Sequence, residues 1–445
     1  MFIDFSFKNF RSFKKEVTLS MMAAKSLRDD IITEDDYSNI TVGFGDRNYL
    51  RVASIYGANA SGKSTVIKAM SFFKGMILSS VSDEHIIDHF QDYFLFDDSS
   101  CDEPTSFEMN FVINGKAYRY GFEILHDSVY SEWLFETLPQ TMRESYCFKR
   151  ERKVIKVNSR VFKGARGLDE KTRHNALFLS TTAQFNVATA MEIKEWFRKS
   201  FNILSGLDET LHFTANQFLH DGVMQKEILE YIKLVDLGIQ NITISDETVK
   251  NEDEIKKNLI ASGFLPPALV STLNEKGNIR RLEISSFHNF YKGKEDVGQT
   301  PLPFNQESLG TQKTFSFLGP WFDTLRRGGV LVIDEFGTSL HTQLAKKLLQ
   351  LFQSILNKQG AQLIITTHDT NLLHRDLLRR DQIWFTEKDR RGYSDLYSLV
   401  EYKINQASSV RNDATFSKDY LAGKYGAIPF FGNIDRFIKE YSDGY

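Results

Sequence analysis

The chain has 445 residues, 41% hydrophobic and 25% charged, a globular balance that excludes an extended disordered protein. Its net charge of −3 gives no bulk attraction to nucleic acid, so such contacts would need a local basic patch. Two cysteines, Cys101 and Cys147, make neither a disulfide framework nor a zinc cluster, and the absence of a signal-peptide start or a run of ~18 apolar residues points to a cytoplasmic protein.

The opening MFIDFSFKNFRSF alternates apolar and polar residues and predicts a strand, with a second at Val17-Thr18-Leu19. Residues 28–48 are polar and read as a loop. Arg51–Tyr56 predicts a short buried strand that runs into a glycine turn and a helix from near Lys63. Residues 105–124 predict a hairpin turning at Asn114-Gly115, with Phe107, Met109 and Phe111 on one arm and Tyr118, Tyr120 and Phe122 on the other. More strands are expected over 128–165, then helices over 186–262, where Ile193, Trp196 and Phe197, and later Ile228, Leu229 and Ile232, recur at helical spacing. Pro266-Pro267 breaks that block. A strand pair is expected near 279–291 and a polar, glycine-rich stretch over 292–300. Helix 308–326, strand 329–334, helix 339–357 and strand 361–366 follow, an alternation that implies a parallel sheet wrapped by helices.

Gly57-Ala58-Asn59-Ala60-Ser61-Gly62-Lys63-Ser64 fits G-x-x-x-x-G-K-[ST] between a strand and a helix. In such a loop successive backbone N–H groups point inward, and the helix that follows offers its unpaired donors to phosphate. Lys63 is expected to reach the β- and γ-phosphates and the Ser64 hydroxyl to bind Mg²⁺. Gly57, Asn59, Ala60, Ser61, Gly62, Lys63, Ser64 and Thr65 are therefore the nucleotide-binding candidates. Val330-Leu-Val-Ile333 reads as a strand buried on both faces and ends in Asp334-Glu335. Asp334 is the candidate Mg²⁺ ligand, and Glu335 is placed to orient and deprotonate an attacking water. Ser308 and Gly310 open a helix and could form a second anion site, or Ser308 could be a plain helix cap. Ile364-Ile-Thr-Thr-His368 is a β-branched strand that ends in a histidine.

Together these elements resemble the ABC-type ATPases, and within them the branch of the SMC, RecF and OLD proteins. The resemblance implies an α/β fold: an ABC-type P-loop NTPase head with a β-hairpin sheet and an inserted helical lid domain. The expected division is an N-terminal ATPase lobe over 1–185, a helical insert over 186–278 and a C-terminal lobe over 279–445. It also implies ATP and Mg²⁺ as cofactors and ATP hydrolysis as the activity. Asn9-Phe-Arg11-Ser-Phe13 resembles the branch's opening strand, in which the arginine at the place of Arg11 helps bind nucleotide. Two heads would sandwich two nucleotides, with Ser308, Gly310 and Gln312 of one touching the γ-phosphate held by the other, and His368 sensing it in cis. Phe336-Gly337-Thr-Ser-Leu340-His341 matches the D-loop, although Gly337 departs from the acidic residue expected there. Gln91 is the candidate glutamine-loop residue, with a surface glutamine as the alternative.

The tail after His368 carries no Asp-x-Asp pair that would suggest a Toprim nuclease. The layout is similar to the stand-alone ATPases of bacterial abortive-infection systems, the RloA and AbiLi type. This implies self-association as a dimer or larger ring, and control of a separate Toprim-like, RloB-like nuclease or other toxin. A RecF-like DNA-binding ATPase in repair stays open as the alternative. It would need a basic surface from Lys149–Lys153, Lys163–Arg173 or Arg375–Arg380.

Overall fold

The computed structural model describes residues 1–24, 40–87, 92–138, 143–204, 207–235, 238–249, 270–273, 279–338, 340–404, 408–409 and 415–428. The chain forms two compact units. The first comprises Met1–Arg198, Asp334–Phe336 and Ile364–Tyr445, and the second Lys199–Ile333 and Gly337–Leu363.

The first unit opens with β1 (Phe2–Lys8) and β2 (Val17–Ser20). Part of the expected polar loop is instead a short hairpin, β3 (Thr41–Phe44) and β4 (Arg47–Leu50). Then β5 (Val52–Gly57), buried at every position, leads to α1 (Lys63–Ser79). A meander follows: β6 (Thr105–Ile113), β7 (Lys116–Leu125), β8 (Ser128–Thr137), β9 (Glu144–Glu151) and β10 (Val154–Val157). These strands join β1 and β2 in a seven-stranded antiparallel sheet of order β10-β9-β8-β7-β6-β1-β2. The β6–β7 turn has Asn114 and Gly115 both at positive φ (47° and 76°), as a two-residue hairpin of matching twist requires.

The apolar face of α1 seats the phosphate helix on this sheet. Phe73 stacks on Phe122 (5.3 Å between ring centroids) and meets Phe5 edge-on (5.5 Å), while Phe72 packs on Phe107 (5.2 Å). Farther along, α2 (Phe178–Gln184) has no side-chain cap of its own. Instead the fully buried Glu132 of β8 accepts the N–H groups of Phe178 (2.6 Å) and Leu179 (2.9 Å) and the Tyr120 hydroxyl (2.9 Å). A carboxylate at a helix start suits the helix dipole. Next, α3 (Ala188–Lys199) lays Trp196 flat on Phe111 of β6 at 5.0 Å.

The second unit contains β11 (Phe201–Leu204), α4 (Leu207–His220), α5 (Gly222–Leu234), β12 (Ile239–Val249), β13 (Val270–Leu273), β14 (Ile279–Lys292), β15 (Glu295–Pro303), α6 (Leu309–Arg327), β16 (Val330–Ile333) and α7 (Thr342–Phe352). The start of β17 (Gln362–Thr366) belongs here too. Two expectations change. The block read as helical contains the strand β12, which pairs along β14; Ile242, Thr243 and Ile244 supply the β-branched alternation. The polar stretch near 292–300 is largely β15, antiparallel to β14, and its prolines Pro301 and Pro303 sit on a strand with one partner among the described residues. Pro266-Pro267 lies outside the described residues.

The compact division also differs from the expected three parts: residues 199–278 share a unit with 279–333. The reason is close packing of α4 on α6. A Cβ on Gly319 would lie 2.4 Å from Thr214 Oγ1, so only glycine admits this approach. Pro320, inside α6, has no N–H for the Ser316 carbonyl one turn back. Thr214 Oγ1 donates to that carbonyl at 2.6 Å and accepts the Gly319 N–H at 3.2 Å. On another side, α6 meets α7 where Trp321 Nε1 donates to Leu348 O at 3.1 Å.

The chain returns to the first unit with Ile364–Thr366 of β17, then β18 (Ile383–Lys388), β19 (Ser394–Ser398) and α8 (Phe416–Leu421). There β17, β5, β18 and β19 lie in that order, with β5 and β18 parallel. Within the second unit β11 and β16 are also parallel, as the strand–helix alternation implied.

Candidate functional site

β5 brings the chain to Gly57, where a Cβ would sit 2.4 Å from the Thr386 carbonyl of β18. The loop is tied to that strand by a 2.6 Å hydrogen bond between the Ser61 and Thr386 hydroxyls. Ala60 and Gly62 both have positive φ (61° and 117°), and a Cβ on Gly62 would press on the Phe13 ring at 2.9 Å. Gly62 is also the N-cap of α1 and gives it no side-chain acceptor. The mostly buried Lys63 folds back, and its Nζ donates to Gly57 O and Ala58 O, both at 2.8 Å. Burial pulls its pKa down to about 8 against the opposing pull of Asp334 and Glu335.

A cavity of about 710 Å³ opens over this loop. Its walls include Arg11, Asn59, Ala60, Gly62, Lys63, Ser64, Thr65, Glu335 and His368, all in the first unit. Asp334 is held by Thr366, whose Oγ1 donates to Asp334 Oδ1 at 2.5 Å and accepts the Glu335 N–H at 2.8 Å. One threonine hydroxyl thus sets both acids. Glu335 has φ 54°, a sparsely populated backbone state for a side chain of this size. The Thr367 hydroxyl donates to Phe336 O at 2.7 Å and fixes the chain just before His368. Burial, and then the Lys63 charge, lower the His368 pKa, which favours neutral imidazole.

Arg11, also at positive φ (51°), donates from Nε (2.9 Å) and Nη2 (2.6 Å) to Asp92 Oδ2. Sequence reasoning missed Asp92, and with it Ser12, Tyr93, Leu95, Phe96 and Lys388, which line the same cavity. It also missed Thr366, whose signal was a pair of hydroxyl residues directly before the strand-ending histidine. Gln91 lies outside the described residues.

Ser308, Gly310 and Gln312 lie in the second unit, at the start of α6. Ser308 is the N-cap, and its Oγ accepts the Thr311 N–H at 3.1 Å. Gln312 Nε2 donates to Glu307 O at 2.8 Å and to Asn305 O at 3.3 Å. Gly337 has φ 91°, and its carbonyl accepts the Leu340 N–H at 3.1 Å. His341 caps α7 by accepting the Gln343 N–H at Nδ1 (3.2 Å).

Several cations of the three basic clusters have internal work. Arg150 is buried and donates to the carbonyls of Ala176 (2.7 Å) and His174 (3.0 Å). Arg173 pairs with Glu84, Lys171 sits over the Phe185 ring, and the buried Arg379 pairs with Asp381 at 2.7 Å.

A glycine cradle with its lysine, an acid-ended strand and a strand-ending histidine on one α/β scaffold define the class: a P-loop head of the AAA type. Residues 52–374 match the family described as "AAA domain, putative AbiEii toxin, Type IV TA system", and the chain belongs to that family. No curated protein matches it. Among solved structures it is similar to an SMC head bound to the C-terminal winged-helix domain of ScpA, at 13% identity and a TM-score of 0.44, over 92% of this chain and 99% of that one. The SMC head domain of Thermotoga maritima gives 13% identity and a TM-score of 0.41, over 89% and 98%. An Smc head with an extended coiled coil, bound to the C-terminal domain of ScpA derived from Pyrococcus furiosus, gives 13% and 0.33, over 91% and 97%. Among the described residues no helix is long and apolar enough to cross a membrane.

Proposed function

We propose that the chain binds and hydrolyses ATP, and that nucleotide-driven association of its heads controls a separate toxic partner in an antiphage, abortive-infection system. The observation that carries the first half is one cavity walled by Lys63, Ser64, Glu335 and His368. The residues fit the implied cofactors. The uncapped α1 start and the Lys63 ammonium suit a polyphosphate. Ser64 and Asp334 offer hard oxygen ligands for Mg²⁺, with the nucleotide's phosphates completing the shell. A Mg²⁺ held there would supply charge neutralisation to the phosphates. Asn59, Ala60, Gly62 and Thr65 line the cradle, Ser61 ties its loop to Thr386, and Arg11 stands at its edge paired with Asp92. Glu335 orients the water and takes its proton, with Thr366 fixing its backbone. His368, kept neutral, reads the γ-phosphate.

The second half is supported by the toxin–antitoxin wording of the family description. In this reading Ser308, Gly310 and Gln312 of one copy complete the site of another, and the closed assembly holds a nuclease or other toxin partner. The DNA-repair alternative loses support from the internal pairing of Arg150, Arg173 and Arg379.

The test is Glu335→Gln. Steady-state phosphate release should fall by about a hundredfold or more, the usual reach of a lost general base. ATP should remain bound, and size-exclusion with light scattering should show a larger assembly in ATP than in ADP. Wild-type turnover in Glu335→Gln would take hydrolysis away from this acid. Failure of the neighbouring gene's product to co-purify in either nucleotide state would remove the partner reading.

A further inference from the structure

The acid assigned to activate water has no anchor of its own. Glu335 lines the cavity, and its carboxylate accepts no hydrogen bond among the described residues, so its aim depends on its backbone. That backbone sits at φ 54°, a state that persists for such a residue only where the surroundings impose it. Here the surroundings are Thr366, which ends β17, and Thr367 just after it, both fully buried. The Glu335 N–H is accepted by the Thr366 hydroxyl at 2.8 Å, and the Phe336 N–H by the Thr366 carbonyl at 2.8 Å. Thr367 Oγ1 donates to the Phe336 carbonyl at 2.7 Å, while the Thr367 N–H reaches Ile55 O of β5 at 3.0 Å. The turn after β16 is thus fastened to this strand residue by residue, and the next residue along is His368.

We propose that Thr366 is a positioning residue for ATP hydrolysis: its hydroxyl joins Asp334 to Glu335, holds Glu335 in its strained backbone state, and so governs turnover without governing nucleotide affinity. A threonine hydroxyl has one proton to give and lone pairs to offer, whereas a carboxylate can only accept. The proton therefore goes to Asp334 Oδ1, at 2.5 Å, and a lone pair is left for the Glu335 N–H. Valine has the same shape but neither donor nor acceptor. With it, Asp334 and the Glu335 N–H lose their shared partner together. The turn can then relax to an ordinary backbone angle that carries the Glu335 carboxylate off the attacking water. The phosphate cradle is spared, because the Thr366 hydroxyl bonds to no residue of Gly57–Thr65. This inference rests on the reading of Glu335 as the water-activating acid, and the experiment separates the two.

The full chain is compared as wild type, Thr366→Ser, Thr366→Val and Thr366→Ala. Phosphate release from ATP with Mg²⁺ gives kcat, and isothermal titration without Mg²⁺ gives ATP affinity. The two hydroxyl-free variants, Val and Ala, should lower kcat by about tenfold to a hundredfold, the cost of a catalytic group that is present but misplaced. Their ATP affinity should change by less than about twofold, the pattern of an interaction felt only in the transition state. Thr366→Ser, which keeps the hydroxyl, should keep the wild-type kcat. Solvent exchange of the Glu335 amide is followed separately in the nucleotide-free chain, where Val and Ala should lose protection and Ser should retain it. Wild-type kcat in the hydroxyl-free variants overturns the proposal. So does an equal loss of kcat in Thr366→Ser, a loss of ATP affinity as large as the loss of kcat, or unchanged exchange at Glu335. If wild type releases no phosphate, the hydrolysis reading itself falls, while exchange at Glu335 still decides whether Thr366 holds that backbone.

Discussion

The starts of α1 and α6 are both candidate anion sites, and they are finished in different ways. At α1 the N-cap is Gly62, which has no side chain to turn inward, and Lys63 supplies a positive charge. At α6 the N-cap is Ser308, whose hydroxyl already holds the Thr311 N–H, and Gln312 is folded back onto carbonyls of its own loop. A glycine in place of a capping side chain costs a helix only a few tenths of a kcal/mol. The first start carries that small cost and leaves its N–H groups without a side-chain acceptor, while Lys63 rests on loop carbonyls; the second is closed by its own serine cap. Two helix starts of similar sequence chemistry are therefore left in different states, one without a side-chain cap and one closed by its own serine.

Changes at these two starts test the contrast. Lys63→Ala should have the largest effect, weakening ATP by about tenfold to a hundredfold, because a charge-assisted contact contributes about 1.5–3 kcal/mol; isothermal titration reads it, and unaltered affinity would end the contrast. Next is Gly62→Ala. At φ 117°, with Phe13 2.9 Å from the new Cβ, it should lower unfolding stability by about 1–3 kcal/mol in denaturant titration. A smaller effect comes from pH. In the free site Lys63 starts to lose its proton near pH 8, whereas bound phosphate would hold it on. Binding then takes up a proton above that pH, so ATP affinity should fall as pH rises through about 8, by less than tenfold per pH unit. A flat profile from pH 7 to 9.5 would contradict this, and Lys63→Arg, which stays charged, should flatten it. Ser308→Ala should have the smallest effect, costing about 1 kcal/mol of stability through the lost cap. No loss there would mean that the self-capped state carries no weight.

What could be read beforehand followed from local constraints. The cradle announced itself because a tight phosphate turn needs glycines at fixed places and a strand and helix on either side. The β6–β7 hairpin was legible from alternation and Asn114-Gly115, and β16 from four apolar residues ending in two acids. Other features depended on long-range pairing. β15 is polar and carries two prolines, so nothing local marks it as a strand until β14 lies beside it. Asp92 and Phe96 enter the cavity through the path of a loop, and no sequence spacing encodes that path. Thr366 read as one β-branched residue of a strand, and its hydroxyl gained importance only when Asp334 and Glu335 met it.

Pro320 leaves a carbonyl of α6 that its own helix cannot satisfy, and Thr214 of α4 supplies the missing donor. Removing the Thr214 hydroxyl while the helices stay packed would leave Ser316 with a buried, orphaned oxygen, at a penalty of about 1–3 kcal/mol. Neither helix can therefore melt cheaply by itself. The pair should act as one cooperative folding element, with α4 and α6 gaining and losing protection against hydrogen exchange together.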